Sequence, residues 1–263
     1  MDCMWLNPGQ HGDQNNDEIA AFAQAMVDVA PHIVISWSPG DGTSVTNGTY
    51  VARHGGQYGV MYRILSDLHD TGGFQAILAH LKIAQNYTFL VGAEGTYPDL
   101  DMLPLGMQRD QGSTGPLTPC RYTETEQTTI MSLWAIMRAP LIVGAALPLL
   151  PNDTFTLSLL THPAILNVNS NSINLRVVLP VGNSPNLFAW MADMADDGVA
   201  LVLAVFNGND GTAPSTVNSP PTAVFALVCN RCVVFKGCPR NLPGVFLRGN
   251  CSSWERCVSS CPL

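Results

Sequence analysis

The chain is 263 residues long, 46% hydrophobic and only 12% charged, which allows a large core and excludes an intrinsically disordered protein. A formal charge of −8 and a pI near 5.0 argue against nucleic acid and anionic membrane surfaces as partners, since both need basic patches, and favour neutral or cationic ligands. The longest unbroken apolar run, residues 199–206, falls far short of the roughly 18 residues of a membrane helix, so no membrane partner is expected.

The first residues do not read as a charged-then-apolar leader. Four Asn-X-Ser/Thr sequons, at Asn47, Asn86, Asn152 and Asn250, lean weakly toward a secreted or lysosomal/vacuolar glycoprotein. Asn16 or Asp17 can cap a helix to about Ala30, with Ile19, Phe22, Ala23, Met26 and Val27 on one face. Residues 33–37, closed by Ser38-Pro39-Gly40, have the form of a strand buried on both faces. After a Gly/Thr/Asn-rich loop, a short strand over residues 60–64 carries Arg63 and ends just before Asp67. Phe74, Ile77, Leu78 and Leu81 predict a second helix over residues 73–85, and residues 89–91 are a short strand or part of a loop leading to Asp99.

Thr123-Glu124-Thr125-Glu126 has the form of a capping box opening a helix to about Met137, with Ile130, Leu133, Trp134 and Met137 on its buried face. Residues 141–143 predict another buried strand, Asn152 or Asp153 caps a helix to Leu160, and residues 165–168 lead out of the domain. From Ser172 the helical period disappears, and residues 187–191 and 199–206 read as β-strands, which sets a boundary between domains 1–171 and 172–263. Six of the eight cysteines follow residue 228. That tail has no His and no good zinc spacing after Cys232, so disulfide staples fit it better than a metal site.

Two acidic runs carry the candidate chemistry: Arg63-Ile64-Leu65-Ser66-Asp67 and Tyr97-Pro98-Asp99-Leu100-Asp101-Met102-Leu103. Asp is common in turns and caps, so either run can be purely structural. At the ends of parallel strands, however, such residues fall where catalytic groups sit on a (β/α) barrel. Four strands are countable up to Asn171, with a fifth ending near Asp2, whereas a (β/α)₈ barrel needs eight strands and about 250 residues.

In order, these runs resemble the second half of a family 27 glycoside hydrolase, the α-galactosidase and α-N-acetylgalactosaminidase family. Gly106, Thr125-Glu126-Gln127, Ser132-Leu133-Trp134-Ala135-Ile136-Met137, Ala139-Pro140-Leu141-Ile142 and Asn169 continue the likeness, which spans residues 1–207 and is strongest over 61–144. The resemblance implies the C-terminal part of a (β/α)₈ TIM barrel followed by an antiparallel β-domain, with the chain beginning at the fourth barrel strand.

It further implies a retaining mechanism without metal or cofactor, acting on a terminal α-galactoside of an oligosaccharide or glycoconjugate. Asp2, in Met1-Asp2-Cys3, would be the nucleophile and Asp67 the general acid/base. Arg63 and Asp101, together with Trp37 and Ser38, would be substrate-binding positions. Ser38 stands where the α-galactosidases commonly carry Glu and the N-acetylgalactosaminidases Ser, which leaves room for a 2-acetamido group, and Ala145-Ala146 replace a usual polar pair. The alternative is a partial or degenerate family member without activity, at most a carbohydrate-binding module.

Overall fold

The computed structural model describes residues 16–38, 58–92, 95–109, 116–178, 186–195, 201–208, 215–218, 225–229 and 233–236. Helix α1, Asn16–Val29, buries Ile19 and Ala23 one turn apart. Strand β1, Ser36–Trp37, follows and is shorter than its apolar run suggests, because only these two residues pair with β2, Met61–Arg63. Strand β3, Tyr97–Asp99, pairs parallel on the other side of β2, in register Met61 with Tyr97, Tyr62 with Pro98 and Arg63 with Asp99.

Side chains alternate across a strand, so Trp37, Tyr62 and Pro98 share one buried face, and Arg63 and Asp99 stand on the other at the strand ends. The strand expected over residues 141–143 is reduced to one parallel bridge, Leu103 with Val143. Among the described residues the parallel strands form an open sheet of three with that bridge beside it, not a closed barrel.

Helix α2, Gly73–Asn86, buries Ile77, Leu78, His80, Leu81 and Ala84 and runs into a 3₁₀ turn, Thr88–Leu90, where a short strand or loop was expected. A two-stranded antiparallel ribbon, β4 (Met107–Gln108) and β5 (Thr118–Pro119), precedes α3, Glu124–Ile136. The capping box forms as the sequence predicts. The Glu126 amide donates to Thr123 Oγ1 at 3.3 Å, and the Thr123 amide donates to the Glu126 carboxylate at 2.8 Å. Every α3 residue from Gln127 to Ile136 is buried, which makes it the central helix.

Asp153 caps α4, Thr154–Leu160, by accepting from the Thr156 amide at 3.0 Å. The segment expected to lead out of the domain is instead a helix, α5, Pro163–Asn171. Pro163 supplies a preset φ in its first turn, and Ile165 and Val168 are buried three residues apart.

Strands β6 (Ser172–Val177), β7 (Leu187–Met194) and β8 (Leu201–Asn207) pair antiparallel. The strands after Ser172 are nevertheless mixed in direction, correcting a wholly antiparallel expectation. After β9 (Ser215–Asn218), β10 (Phe225–Cys229) runs parallel to β8, and β11 (Val233–Lys236) runs parallel to β9. The sheet packs on the α2 end of the molecule, where Trp190 Nε1 donates to Thr88 Oγ1 at 3.1 Å.

No disulfide is seen among the described residues. Cys120 is a free thiol that donates to the Pro104 carbonyl at 2.9 Å, and burial pushes its pKa up to about 11. The cysteine-rich tail lies outside the described side chains. Of the sequons, Asn86 and Asn152 are exposed, while Asn47 and Asn250 fall outside the described residues.

Removing the Thr123 hydroxyl breaks one half of a reciprocal cap, so Thr123→Ala is expected to lower unfolding free energy by about 1 kcal/mol in urea denaturation. His80 gives a pH signature. Burial lowers its imidazole from 6.5 to about 4, and its Nδ1 donates to the Ala76 carbonyl at 2.8 Å. The unfolded chain therefore binds a proton on this ring that the folded chain refuses between pH 6.5 and 4. Stability from this group is complete above about pH 6.5 and falls as pH drops to 4, by up to about 3 kcal/mol. The denaturation midpoint of wild type should fall relative to that of His80→Leu as pH drops from about 6.5 to 4; a constant difference would exclude this linkage.

Candidate active site

The buried pair Ile64 and Leu65 anchors the chain as it leaves β2, so Ser66 and Asp67 turn outward. The Arg63 side chain, only 12% exposed, folds over this turn. Its Nε donates to the Leu65 carbonyl at 2.9 Å, and its Nη2 meets Asp67 Oδ1 and Asp101 Oδ2, each at 2.9 Å. The Asp67 side chain is 57% exposed and that of Asp101 only 10%. One guanidinium thus holds an open carboxylate and a buried one, the planar fork being suited to such shared contacts. His69 Nε2 lies 3.6 Å from Asp67 Oδ2.

Asp101 sits just beyond β3 with φ +85, a left-handed conformation that Asp tolerates better than most residues. Its amide donates to Asp99 Oδ1 at 2.8 Å and its carbonyl accepts from Trp134 Nε1 at 2.9 Å. Its carboxylate accepts from the Leu68 amide at 2.6 Å through Oδ2 and from the Met102 amide at 2.7 Å through Oδ1. A second anchor fixes the same loop: Tyr122 donates its hydroxyl to the His69 carbonyl at 2.7 Å, and the Arg121 amide donates to Asp70 at 2.9 Å. Burial raises the Tyr122 phenol above its usual range and keeps it protonated for that bond.

Of the residues singled out in the sequence, Arg63, Asp67 and Asp101 converge at the C-terminal ends of β2 and β3. Ser38 directly follows the neighbouring β1 and is half-buried. Trp37, expected beside the substrate, lies in the core at 2% exposure, packed edge-on against Phe22 with ring centroids 6.0 Å apart. Its position on the face shared with Tyr62 turns it toward α1. Asp2 lies outside the described residues. Asn169 is a helix-end partner, donating to the carbonyls of Ala139 at 3.0 Å and Trp134 at 3.3 Å.

Two contacts escape a reading of the sequence: His69 beside Asp67, and the Trp134 N–H on Asp101. Only the two-residue spacing after Asp67 could have flagged the first. Chemically, the cluster presents one solvent-open carboxyl group able to exchange a proton, steadied by a buried cation.

No protein-family model matches the chain. It is 28% identical over 127 residues to α-galactosidase D of Emericella nidulans, covering 48% of this chain and 17% of that one. Its structure is similar to a family 27 β-L-arabinopyranosidase of Geobacillus stearothermophilus in complex with arabinose, with TM-score 0.62 and 31% identity. The match covers 73% of this chain and 42% of that one. The wild-type form of that enzyme gives TM-score 0.61 and 31% identity, over 73% and 41% of the two chains. The chain therefore spans less than half the length of these relatives. Over that part of its length it is a relative of the family 27 glycoside hydrolases.

Proposed function

We propose that the chain contributes to a retaining glycosidase that cleaves terminal α-galactosides by double displacement. The observation that carries this reading is the convergence of Arg63, Asp67 and Asp101 at the ends of β2 and β3, with the Asp67 carboxyl open to solvent. Such chemistry needs a carboxylate to attack the anomeric carbon and an acid to protonate the departing oxygen, about 5–5.5 Å apart. Asp67 is the acid/base and Asp2, outside the described residues, the nucleophile.

In the first step the Asp2 carboxylate bonds to the anomeric carbon as the bond to the aglycone breaks, and the Asp67 proton passes to the leaving oxygen. In the second, Asp67 takes a proton from water, which attacks the same carbon and frees Asp2. Neither step requires a metal or cofactor. Arg63 and Asp101 border the sugar, and Ser38 leaves space near its second carbon. In the same reading residues 1–171 are part of a (β/α)₈ barrel and 172–263 a β-domain whose tail is stapled by disulfides in a secretory or vacuolar compartment.

The relatives support the choice of ring. A β-L-arabinopyranoside has the ring configuration of an α-D-galactoside without its hydroxymethyl group, so the α-galactosidase and the arabinopyranosidase agree on the ring and differ at one substituent. An arabinopyranoside is therefore the second reading, and a 2-acetamido sugar the third.

The whole protein is expected to hydrolyse 4-nitrophenyl α-D-galactopyranoside faster than the β-L-arabinopyranoside, and the opposite order selects the second reading. Asp67→Asn and Asp2→Asn should each lower kcat by about 10²-fold or more, and an undiminished rate removes that residue from its role. Proton NMR of the first product should show the α-anomer; the β-anomer would sink double displacement. Galactose binding by calorimetry without turnover would identify a sugar-binding module instead.

A further inference from the structure

We propose that Trp134, a core residue of α3, is a positioning residue for Asp67 and acts through Asp101; its catalytic consequence rests on the glycosidase reading above, its geometry does not. The left-handed backbone of Asp101, φ +85, is a conformation that a non-glycine residue keeps only when its surroundings fix it. Two groups hold the backbone of that residue, one on each of its flanking peptides. Asp99 Oδ1 takes the Asp101 N–H at 2.8 Å, and Trp134 Nε1 donates to the Asp101 carbonyl at 2.9 Å.

The direction of the Asp101 side chain follows from this backbone. Its Oδ2 receives the Leu68 N–H at 2.6 Å and pairs with Arg63 Nη2 at 2.9 Å, and the same Nη2 holds Asp67 Oδ1 at 2.9 Å. Leu68 is the next residue after Asp67. The proton donor is therefore gripped twice, through its neighbour's backbone and through its own carboxyl, and both grips end on one oxygen of Asp101.

Trp134 is suited to anchor this chain of contacts because it cannot adapt. It is fully buried, and its ring stacks on His80 with centroids 5.7 Å apart and planes 16° apart, so packing sets the direction of its N–H. Water cannot replace the donor at such depth. A residue chosen only to fill the core would need no N–H at this position, and here the ring's single polar atom is used on the residue that orients the acid.

Trp134→Phe keeps an aromatic ring against His80 and deletes the N–H. With a methyl α-galactoside, whose leaving oxygen needs a proton, kcat is expected to fall by about 10²-fold with little change in KM, the scale of a small misplacement of a reacting group. With a 2,4-dinitrophenyl α-galactoside, whose leaving oxygen departs unprotonated, kcat/KM, which reports the first step, should stay near wild type, while kcat falls because Asp67 still has to take the proton from water in the second step. Amide hydrogen exchange at Leu68 should accelerate roughly tenfold while amides of α5 and β7 keep their rates, as expected of a locally loosened contact.

Asp99→Ala removes the other hold on the Asp101 backbone and should reproduce both effects, which covers the case in which Trp134→Phe does not fold. Equal losses of kcat/KM with both leaving groups, or unchanged Leu68 exchange, overturn the proposal. A wild-type chain that hydrolyses neither glycoside, with Leu68 exchange still accelerated in the variant, sinks the glycosidase reading and supports the positioning link.

Discussion

The pairing of Arg63 with Asp101 is the constraint from which the functional end of the sheet follows. Both side chains are nearly out of water, at 12% and 10% exposure, and removing either partner of such a pair leaves an uncompensated charge that costs about 3–5 kcal/mol. The two residues sit at the ends of adjacent parallel strands, so their contact sets the relation between the loop after β2 and the loop after β3. Asp67 enters this arrangement as a third, open participant. It shares the guanidinium yet keeps most of its carboxyl in solvent, an environment in which a group can both be aimed and exchange protons.

Behind that edge, α3 connects the site to the rest of the core. Its capping box fixes where the helix begins, and burial of every residue from Gln127 to Ile136 leaves no face of that stretch free to shift. At its other end Arg138, with φ +51, turns the chain. The Arg138 side chain lies over the Tyr97 ring at 5.0 Å and donates to the carbonyls of Asn169 at 3.1 Å and Ser170 at 2.8 Å. Strand β3, helix α3 and the end of α5 are thereby joined through one side chain. This gives Asn169 and Arg138 a structural purpose, although Asn169 falls in a run that resembles a motif of the glycosidases. The β-sheet shares this core through Trp190 and Phe206, whose rings meet edge to face at 5.4 Å.

Several elements were legible in the sequence because their signals are local. The i, i+3 and i+4 spacing of Ile77, Leu78 and Leu81 predicts α2, Thr123 and Glu126 predict the cap of α3, and Asp153 predicts the start of α4. The order of Arg63, Asp67, Asp99 and Asp101 pointed to one cluster, and Arg63, Asp67 and Asp101 do meet. Other features depend on partners remote in the chain. β1 is two residues long because its length is set by the register with β2, and the parallel placement of β10 beside β8 reflects a connection that no local pattern encodes. α5 was missed because nine residues carry too few turns for an apolar stripe to declare itself, leaving only Pro163 as a signal.

By itself, then, the sequence determined the helices α1 to α4, the residues that cap α3 and α4 and the charged residues that lie near strand ends, all consequences of backbone preferences within a few positions. Only the tertiary structure decided that Trp37 faces the core, that His69 stands beside Asp67, and that the indole of Trp134 bonds to the backbone of Asp101. The last contact joins residues 33 positions apart. Its direction is set by the packing of α2, α3 and β3 around one buried ring, and no spacing along the chain specifies that angle.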